Sequence, residues 1–267
     1  MKRFVLSTPP NPEGRIRLYD RDYHYLVRVR RLGAGAFFDA VLPGGTETRV
    51  RILSTADGIL IGECLELPEH TACGNYPAIA PLALFQGLPK GAKMDLIVRQ
   101  AAENGVSVIA PFESEYSAAR INREKQARWE RIIKEARQQS GSATETELRP
   151  PCLLGDLLAY WEALKKKYRQ PVGILLHQEP IERAPHEKSP LEKRTFHNYL
   201  GNSPDFIALA VGPEGGFSPA EVSLFLAAGF RPLLMGNTVL RTETAALCGT
   251  AAVRIILLES ESWLHRE

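Results

Sequence analysis

The chain has 267 residues, enough for one large domain or two ordinary ones. Its 44% hydrophobic and 24% charged residues are the proportions of a globular protein, and 33 Lys and Arg against 31 Asp and Glu leave +2, so no whole-chain charge marks a polyanionic partner. Four cysteines, Cys64, Cys73, Cys152 and Cys248, lie far apart without a C-x-x-C pair, which argues against a zinc site or a disulfide framework and fits a reducing compartment.

The N-terminus, MKRFVLSTPP, has too short an apolar run for a signal peptide, and no stretch approaches the ~20 apolar residues of a membrane span, so a cytoplasmic protein is expected. Residues 1–31 hold eight basic residues (Lys2, Arg3, Arg15, Arg17, Arg21, Arg28, Arg30, Arg31) and three acidic ones (Glu13, Asp20, Asp22), a local excess of +5 that either attracts phosphates or forms a solvated basic face. The segment AFFDAVLPGGTETRVRILSTADGILIGECLEL reads as strand, Pro43-Gly44-Gly45 turn, strand, Asp57-Gly58 turn, strand, which suggests a small barrel or sandwich. The aperiodic run from Pro68 to Pro81, with four prolines or glycines, is the candidate linker.

Strands then alternate with helices. IAPLALFQGL reads as a buried strand; KGAKMDLIVRQAAENGV follows as a helix, with Met94, Ile97, Val98 and Ala101 on one face and Asn104-Gly105 as its stop. VSVIAPF is the next strand, REKQARWERIIKEARQQSG a second amphipathic helix stopped by Gly141, and PVGILLHQE another strand. The polar stretch from Pro180 to Pro204 is expected to form a surface helix with loops. FIALAVGPEGG and FRPLLMGNTVLR supply two more strands separated by a helix, and the apolar TAALCGTAAVRIILLE closes the chain as a helix. This order predicts an α/β sheet with helices on both faces.

In VGPEGGFSPAE, Ser218 and Glu221 form a capping box with Pro219 at the first helical position, so GPEGG crosses from the C-terminal end of a strand into a helix, where open α/β sheets place their ligands. A tight turn with no ligand explains the stretch equally well. Neither G-x-x-x-x-G-K-[ST] nor a full G-x-G-x-x-G is present, and Glu214 would set a carboxylate against a phosphate. A second loop, LLMGNTVLRTETAAL, repeats the design with a Gly236 turn and the cluster Arg241-Thr242-Glu243-Thr244 before a helix; Arg241 and Glu243 are either site residues or an ion pair at a helix entry.

VGPEGGFSPAE followed by MGNTVLRTETAAL resembles the RsmE family of SPOUT-class methyltransferases, and KRF, HYLVRVRRLGAG, KGAKMDLIVRQAAENGVSVIAPF and EARQQSG fall in the family's order over nearly the whole chain. The resemblance implies a PUA-like β-barrel over residues 1–72 that helps hold RNA. It implies a SPOUT α/β domain over residues 73–267 with a deep trefoil knot, which the periodicity does not foretell. It further implies a homodimer that transfers a methyl from S-adenosylmethionine to N3 of a uridine in small-subunit (16S) ribosomal RNA, free or in the assembled subunit.

The cofactor would meet Leu176 and His177 at a strand end, Gly212, Pro213, Glu214, Gly215 and Gly216 in the first loop, and Met235, Gly236, Val239, Leu240, Thr244 and Ala245 in the second. Its positive sulfonium would tolerate Glu214. Arg241 would stabilise charge on the uracil carbonyls, and Glu243 would orient the base or assist proton removal. RNA binding is expected of Arg3, His24, Arg28, Arg30, Arg31, Lys90 and Lys93. His24 and His177 each also read as structural or solvent-facing histidines. Basic residues usual in the family are missing at Gln100, Tyr116 and Ser142. Two other classes stay open: a knotted RNA-binding module without catalysis, and a nucleotide-dependent enzyme, against which the absence of a phosphate-loop lysine argues.

Overall fold

The computed structural model describes residues 4–43, 45–65, 79–121, 124–178 and 195–264. The chain divides into two compact units, one built from Met1–Asn75 with Arg137–Glu145, the other from Tyr76–Ala136 with Thr146–Glu267. Most of the expected linker, including Cys73, lies outside the described residues, as does the greater part of the polar stretch after Pro180.

The N-terminal unit contains β1 (Phe4–Val5), β2 (Arg15–Leu18), α1 (Asp20–Tyr23) running into a π-helical stretch (His24–Val29), β3 (Phe37–Val41), β4 (Glu47–Ser54) and β5 (Leu60–Leu65). The five strands form one sheet in the order β1-β3-β4-β5-β2. In β4, Thr48, Val50 and Ile52 turn inward while Arg49, Arg51 and Leu53 face out, the period of two that a half-buried strand requires. Phe4, Leu26, Phe38, Val50, Ile52 and Leu60 fill the core. Asp57 (φ 54°) and Gly58 (φ 73°) both take the left-handed conformation in the turn between β4 and β5, as the Asp-Gly pair predicts.

The second unit follows with β6 (Leu82–Gly87), α2 (Lys93–Glu103), β7 (Val108–Glu113), α3 (Glu124–Ser140), β8 (Glu147–Leu148), β9 (Cys152–Leu153), α4 (Leu154–Lys167), β10 (Pro171–Leu176), α5 (Phe196–Leu200), β11 (Phe206–Val211), α6 (Pro219–Ala227), β12 (Phe230–Leu233) and α7 (Thr242–Leu264). Its sheet runs β12-β10-β11-β6-β7-β8, with β9 also on β7, and every pairing is parallel. Parallel strands are covered on both faces, which is why β6 and β11 are buried throughout and why β11 reads as an unbroken apolar run.

One face is covered by α2, α3, α5 and α7 around Leu84, Ile97, Trp129, Ile133 and Val253. The opposite face is covered by α4 and α6 around Phe85, Leu157, Trp161, Phe225 and Phe230. This is the α/β sheet with helices on both faces that the element order predicts. Helix α4 is not among the expected elements, although Leu157, Trp161 and Leu164 carry its period and are its buried residues.

The predicted capping box is present: Glu221 N donates to Ser218 Oγ at 3.3 Å, and Ser218 N to Glu221 Oε2 at 2.9 Å. Glu221 also accepts from Ser114 Oγ at 3.0 Å and from Glu115 N at 2.9 Å, so one buried carboxylate ties the start of α6 to the chain leaving β7. In α7, Ala246, Val253 and Leu257 enter the core while Ile255 remains 53% exposed, so the apolar closing helix has both a core face and a surface face. No described helix is long and apolar enough to cross a membrane.

Candidate functional site

The GPEGG loop lies where β11 hands over to α6, and its glycines have separate physical reasons. A methyl on Gly212 would sit 3.0 Å from the carbonyl carbon of Gly216, so the loop closes on its own backbone. Gly216 takes φ +71° and donates its N–H to Pro213 O at 3.0 Å, completing a turn that a side chain would strain. The loop's other neighbour is the end of β6: a Cβ on Gly87 would lie 2.6 Å from Pro213 Cδ and 2.9 Å from Pro213 N.

Two bridges join this loop to the start of α7, and both begin in the segment from β6 to α2. The inner one is neutral and buried. Gln86, fully buried, donates through Nε2 to Thr242 Oγ1 at 2.9 Å and to Gly87 O at 2.9 Å, and Thr242 Oγ1 donates to Gly212 O at 2.6 Å. The outer bridge is ionic. Lys93 Nζ lies 2.7 Å from Glu214 Oε1 and 3.7 Å from Glu243 Oε2, and Lys90 N donates to both oxygens of Glu214 at 3.1 and 3.2 Å.

Burial alone would raise the Glu214 carboxyl, but hydrogen bonds from Lys93 and from backbone N–H groups outweigh it and hold the group below its ordinary 4.5. The hydrogen bond to Glu214, followed by the attraction of both carboxylates, lifts the Lys93 ammonium above its ordinary 10.5. The pair is therefore fully ionised at neutral pH.

A cleft open to solvent lies at the C-terminal ends of β10, β11 and β12. Of the expected cofactor residues it collects Leu176, His177, Gly212, Pro213, Glu214 and Gly216, together with Met235, Val239, Leu240 and Ala245 of the second loop. Gly215, Gly236 and Thr244 are not in its wall: Gly215 packs against Tyr116, where a Cβ would come within 2.8 Å, and Gly236, at φ +100°, shapes the turn behind Met235. His177 N donates to Leu233 O at 3.1 Å, which continues the pairing of β10 with β12 at the rim.

Arg241 is exposed; its carbonyl accepts from Ala245 N at 2.8 Å, and its guanidinium has no partner among the described residues. The Glu243 side chain is 15% exposed, and Oε2 makes no hydrogen bond among the described residues. Lys90 is exposed, whereas Lys93, the other lysine expected to meet RNA, pairs with the carboxylates of Glu214 and Glu243. The Glu214 carboxylate is likewise turned to the start of α2, so it does not present a free negative charge to the cleft.

In the N-terminal unit His24, Arg28 and Arg31 are exposed and Arg30 half-buried, with no side-chain partner among the described residues; Arg3 lies outside them. His24 and Arg28 sit on the π-helical stretch, and Arg31 follows it with φ +56°; such irregular backbone is concentrated at functional sites.

Sequence reasoning missed Gln86, Gly87 and Thr242, and the wall residues Gln178, Val211, Phe217 and Leu234. One signal was available for the first of these, a lone glutamine in the otherwise apolar strand LALFQG. The wall suits S-adenosylmethionine better than a nucleotide phosphate: main chain is bare at Gly212 and Gly216, apolar side chains alternate with Thr238, Thr242 and Gln178, and no lysine or arginine is among the described lining residues.

Residues 77–254 match the RNA methyltransferase domain family. The chain is 30% identical over 262 residues to the ribosomal RNA small subunit methyltransferase E of Synechocystis, covering 96% of this chain and 78% of the relative. It is 27% identical over 250 residues to the protein of that name from Treponema pallidum, covering 92% and 86%. The crystal structure of a ribosomal RNA small subunit methyltransferase E from Neisseria gonorrhoeae bound to S-adenosyl methionine superposes with a TM-score of 0.70 at 25% identity, covering 96% and 98% of the two chains. With the two glycine loops assembled at one sheet edge and these likenesses spanning nearly its full length, the chain belongs to the RsmE family of ribosomal RNA methyltransferases.

Proposed function

We propose that the chain is an S-adenosylmethionine-dependent 16S ribosomal RNA methyltransferase that acts on N3 of one uridine, with the cleft between the two glycine loops as its cofactor site. The observation that carries this reading is the glycine-walled cleft at the C-terminal ends of three parallel strands, with no lysine or arginine among its described lining residues. The cofactor supplies an electrophilic methyl group. The protein's part is to hold the acceptor in line with it and to stabilise the base as N3 loses its proton.

Main-chain groups of Gly212, Pro213, Glu214 and Gly216 and of Met235, Thr238, Val239 and Leu240 hold the ligand. The free Arg241 guanidinium donates to the uracil carbonyl oxygens as they gain charge, and Glu243 Oε2 accepts a hydrogen bond from the base or its proton. The N-terminal unit is a PUA-like barrel, residues 1–72, whose exposed cations grip RNA backbone. Residues 73–267 form the knotted SPOUT domain. In support of a knot, the chain leaves β11, crosses past β10 to form the edge strand β12, and returns through α7 to the face of α2. The protein acts in the cytoplasm, on small-subunit RNA or the assembled subunit.

The test is transfer of labelled methyl from S-adenosylmethionine to purified small subunits lacking the modification, followed by nucleoside analysis. One 3-methyluridine per subunit is expected; a protein that binds the cofactor but leaves the subunits unlabelled would overturn the reading in favour of a binding module.

A homodimer completes the reading, because Val239 at the cleft and Ile255 on α7 are 71% and 53% exposed in the single chain. Sedimentation at micromolar concentration should show a dimer, and Ile255→Asp should shift it to the monomer. A monomeric parent protein would refute this assignment.

A further inference from the structure

The ammonium of Lys93 touches two carboxylates that belong to two different loops. Glu214 comes from the crossing between β11 and α6, Glu243 from the first turn of α7, and Lys93 is the first residue of α2. A cation in the first turn of a helix is opposed by the helix dipole, whereas an anion there is favoured. Glu214, accepting from Lys90 N, supplies that anion, so the placement of Lys93 follows from the carboxylates it joins and not from its own helix.

Arg241 immediately precedes the two anchored residues. Thr242 is bonded to Gln86 and Gly212, and Glu243 is paired with Lys93. The segment from Gln86 to Lys93 thus acts as a brace behind the cleft that clamps the first loop to the root of the second. We propose that Lys93 is a positioning residue for methyl transfer, its ammonium holding Glu214 and Glu243 together so that Arg241 stands over the acceptor base. The proposal rests on the reading of the cleft given above. It assigns the charge of Lys93 to the two carboxylates of the catalytic unit and away from RNA phosphate. Removing that charge leaves two carboxylates facing the same space, which drives the loops apart.

The test uses Lys93→Met, Lys93→Arg and the double variant Lys93→Met/Glu214→Gln in the full chain, with thermal melting to confirm folding. Hydrogen exchange without cofactor is the readout independent of turnover. Lys93→Met should lose amide protection across residues 212–216 and 242–246, and the double variant, with one facing charge removed, should regain part of it. In methyl transfer, Lys93→Met should lower kcat about 10–100-fold with KM for RNA unchanged, and Lys93→Arg should recover most of the loss.

Unchanged exchange in Lys93→Met would overturn the proposal. So would a raised KM with unaltered kcat and a salt slope reduced by about one, the behaviour of a phosphate contact. Should the parent protein bind cofactor yet transfer no methyl, the functional reading fails, while the exchange comparison still decides the role of Lys93. Should Lys93→Met not fold, Lys93→Gln and the double variant give the same comparison.

Discussion

Replacing Arg241 with alanine is expected to lower methyl transfer about 10²–10³-fold while leaving the affinity for S-adenosylmethionine within about threefold of the parent. The side chain is exposed and has no partner among the described residues, so its loss breaks no contact that the fold uses. Its backbone, by contrast, is fixed: the carbonyl accepts from Ala245 N, and the next two residues are anchored to β6 and α2. A guanidinium on a fixed root, with its donors uncommitted, can meet charge that appears on the uracil carbonyls as N3 is deprotonated. A donor aimed at charge present only in the transition state changes kcat far more than ground-state binding.

The comparison to make is single-turnover rate and calorimetric cofactor affinity for Arg241→Ala and Arg241→Lys. Lysine keeps the charge but not the planar fork, so it should recover only part of the rate. An alanine variant that retains the parent rate within a few-fold would remove Arg241 from the chemistry and leave Glu243 and the main chain to carry it.

How far these roles can be read in advance depends on the range of the interaction. Asp57-Gly58, the alternation in β4 and the capping box Ser218-Pro219-Ala220-Glu221 are local, and the structure repeats each as the sequence predicts. GPEGG is legible as a strand-to-helix crossing for the same reason. Gln86 Nε2, however, also reaches Gly212 O at 3.5 Å, and Gly212 and Thr242 lie 126 and 156 residues further along the chain; Lys90 and Glu214 are 124 apart. No spacing rule reaches across such distances.

Lys93 shows what a local rule leaves out. A lysine at the start of an amphipathic helix reads as a solvent-facing charge open to phosphate, and only the fold brings two carboxylates to it. Glu214 is the converse. Its charge looked awkward beside any anionic ligand, but the start of α2 neutralises it before a ligand arrives. Helix α4 is of a different kind, because its period is present locally in Leu157, Trp161 and Leu164.

Gly87→Ala should weaken S-adenosylmethionine binding about 10–100-fold, although Gly87 does not itself line the cleft. Its φ is not left-handed, so alanine meets no backbone strain, and the effect comes from contact alone. The added Cβ would lie 2.6 Å from Pro213 Cδ, 2.9 Å from Pro213 N and 3.2 Å from Gly212 C. Something must move, and β6 is the element that cannot. It is buried along its whole length and paired on both sides, to β11 and to β7.

The GPEGG loop therefore gives way, and Gly212 O withdraws from Thr242 Oγ1, now 2.6 Å away. With that bond stretched, the inner bridge loosens, and the two walls of the cleft lose their register against each other. The control is the same substitution at Gly155 in α4, where an added Cβ meets nothing within 4 Å. Gly155→Ala should leave cofactor affinity intact and raise the melting temperature slightly, since alanine is the better helix former. Calorimetry on both variants decides the matter. Parent-like affinity in Gly87→Ala would mean that the loop can be displaced without cost to the ligand, and that the bridges from β6 and α2 do not set the geometry of the cleft.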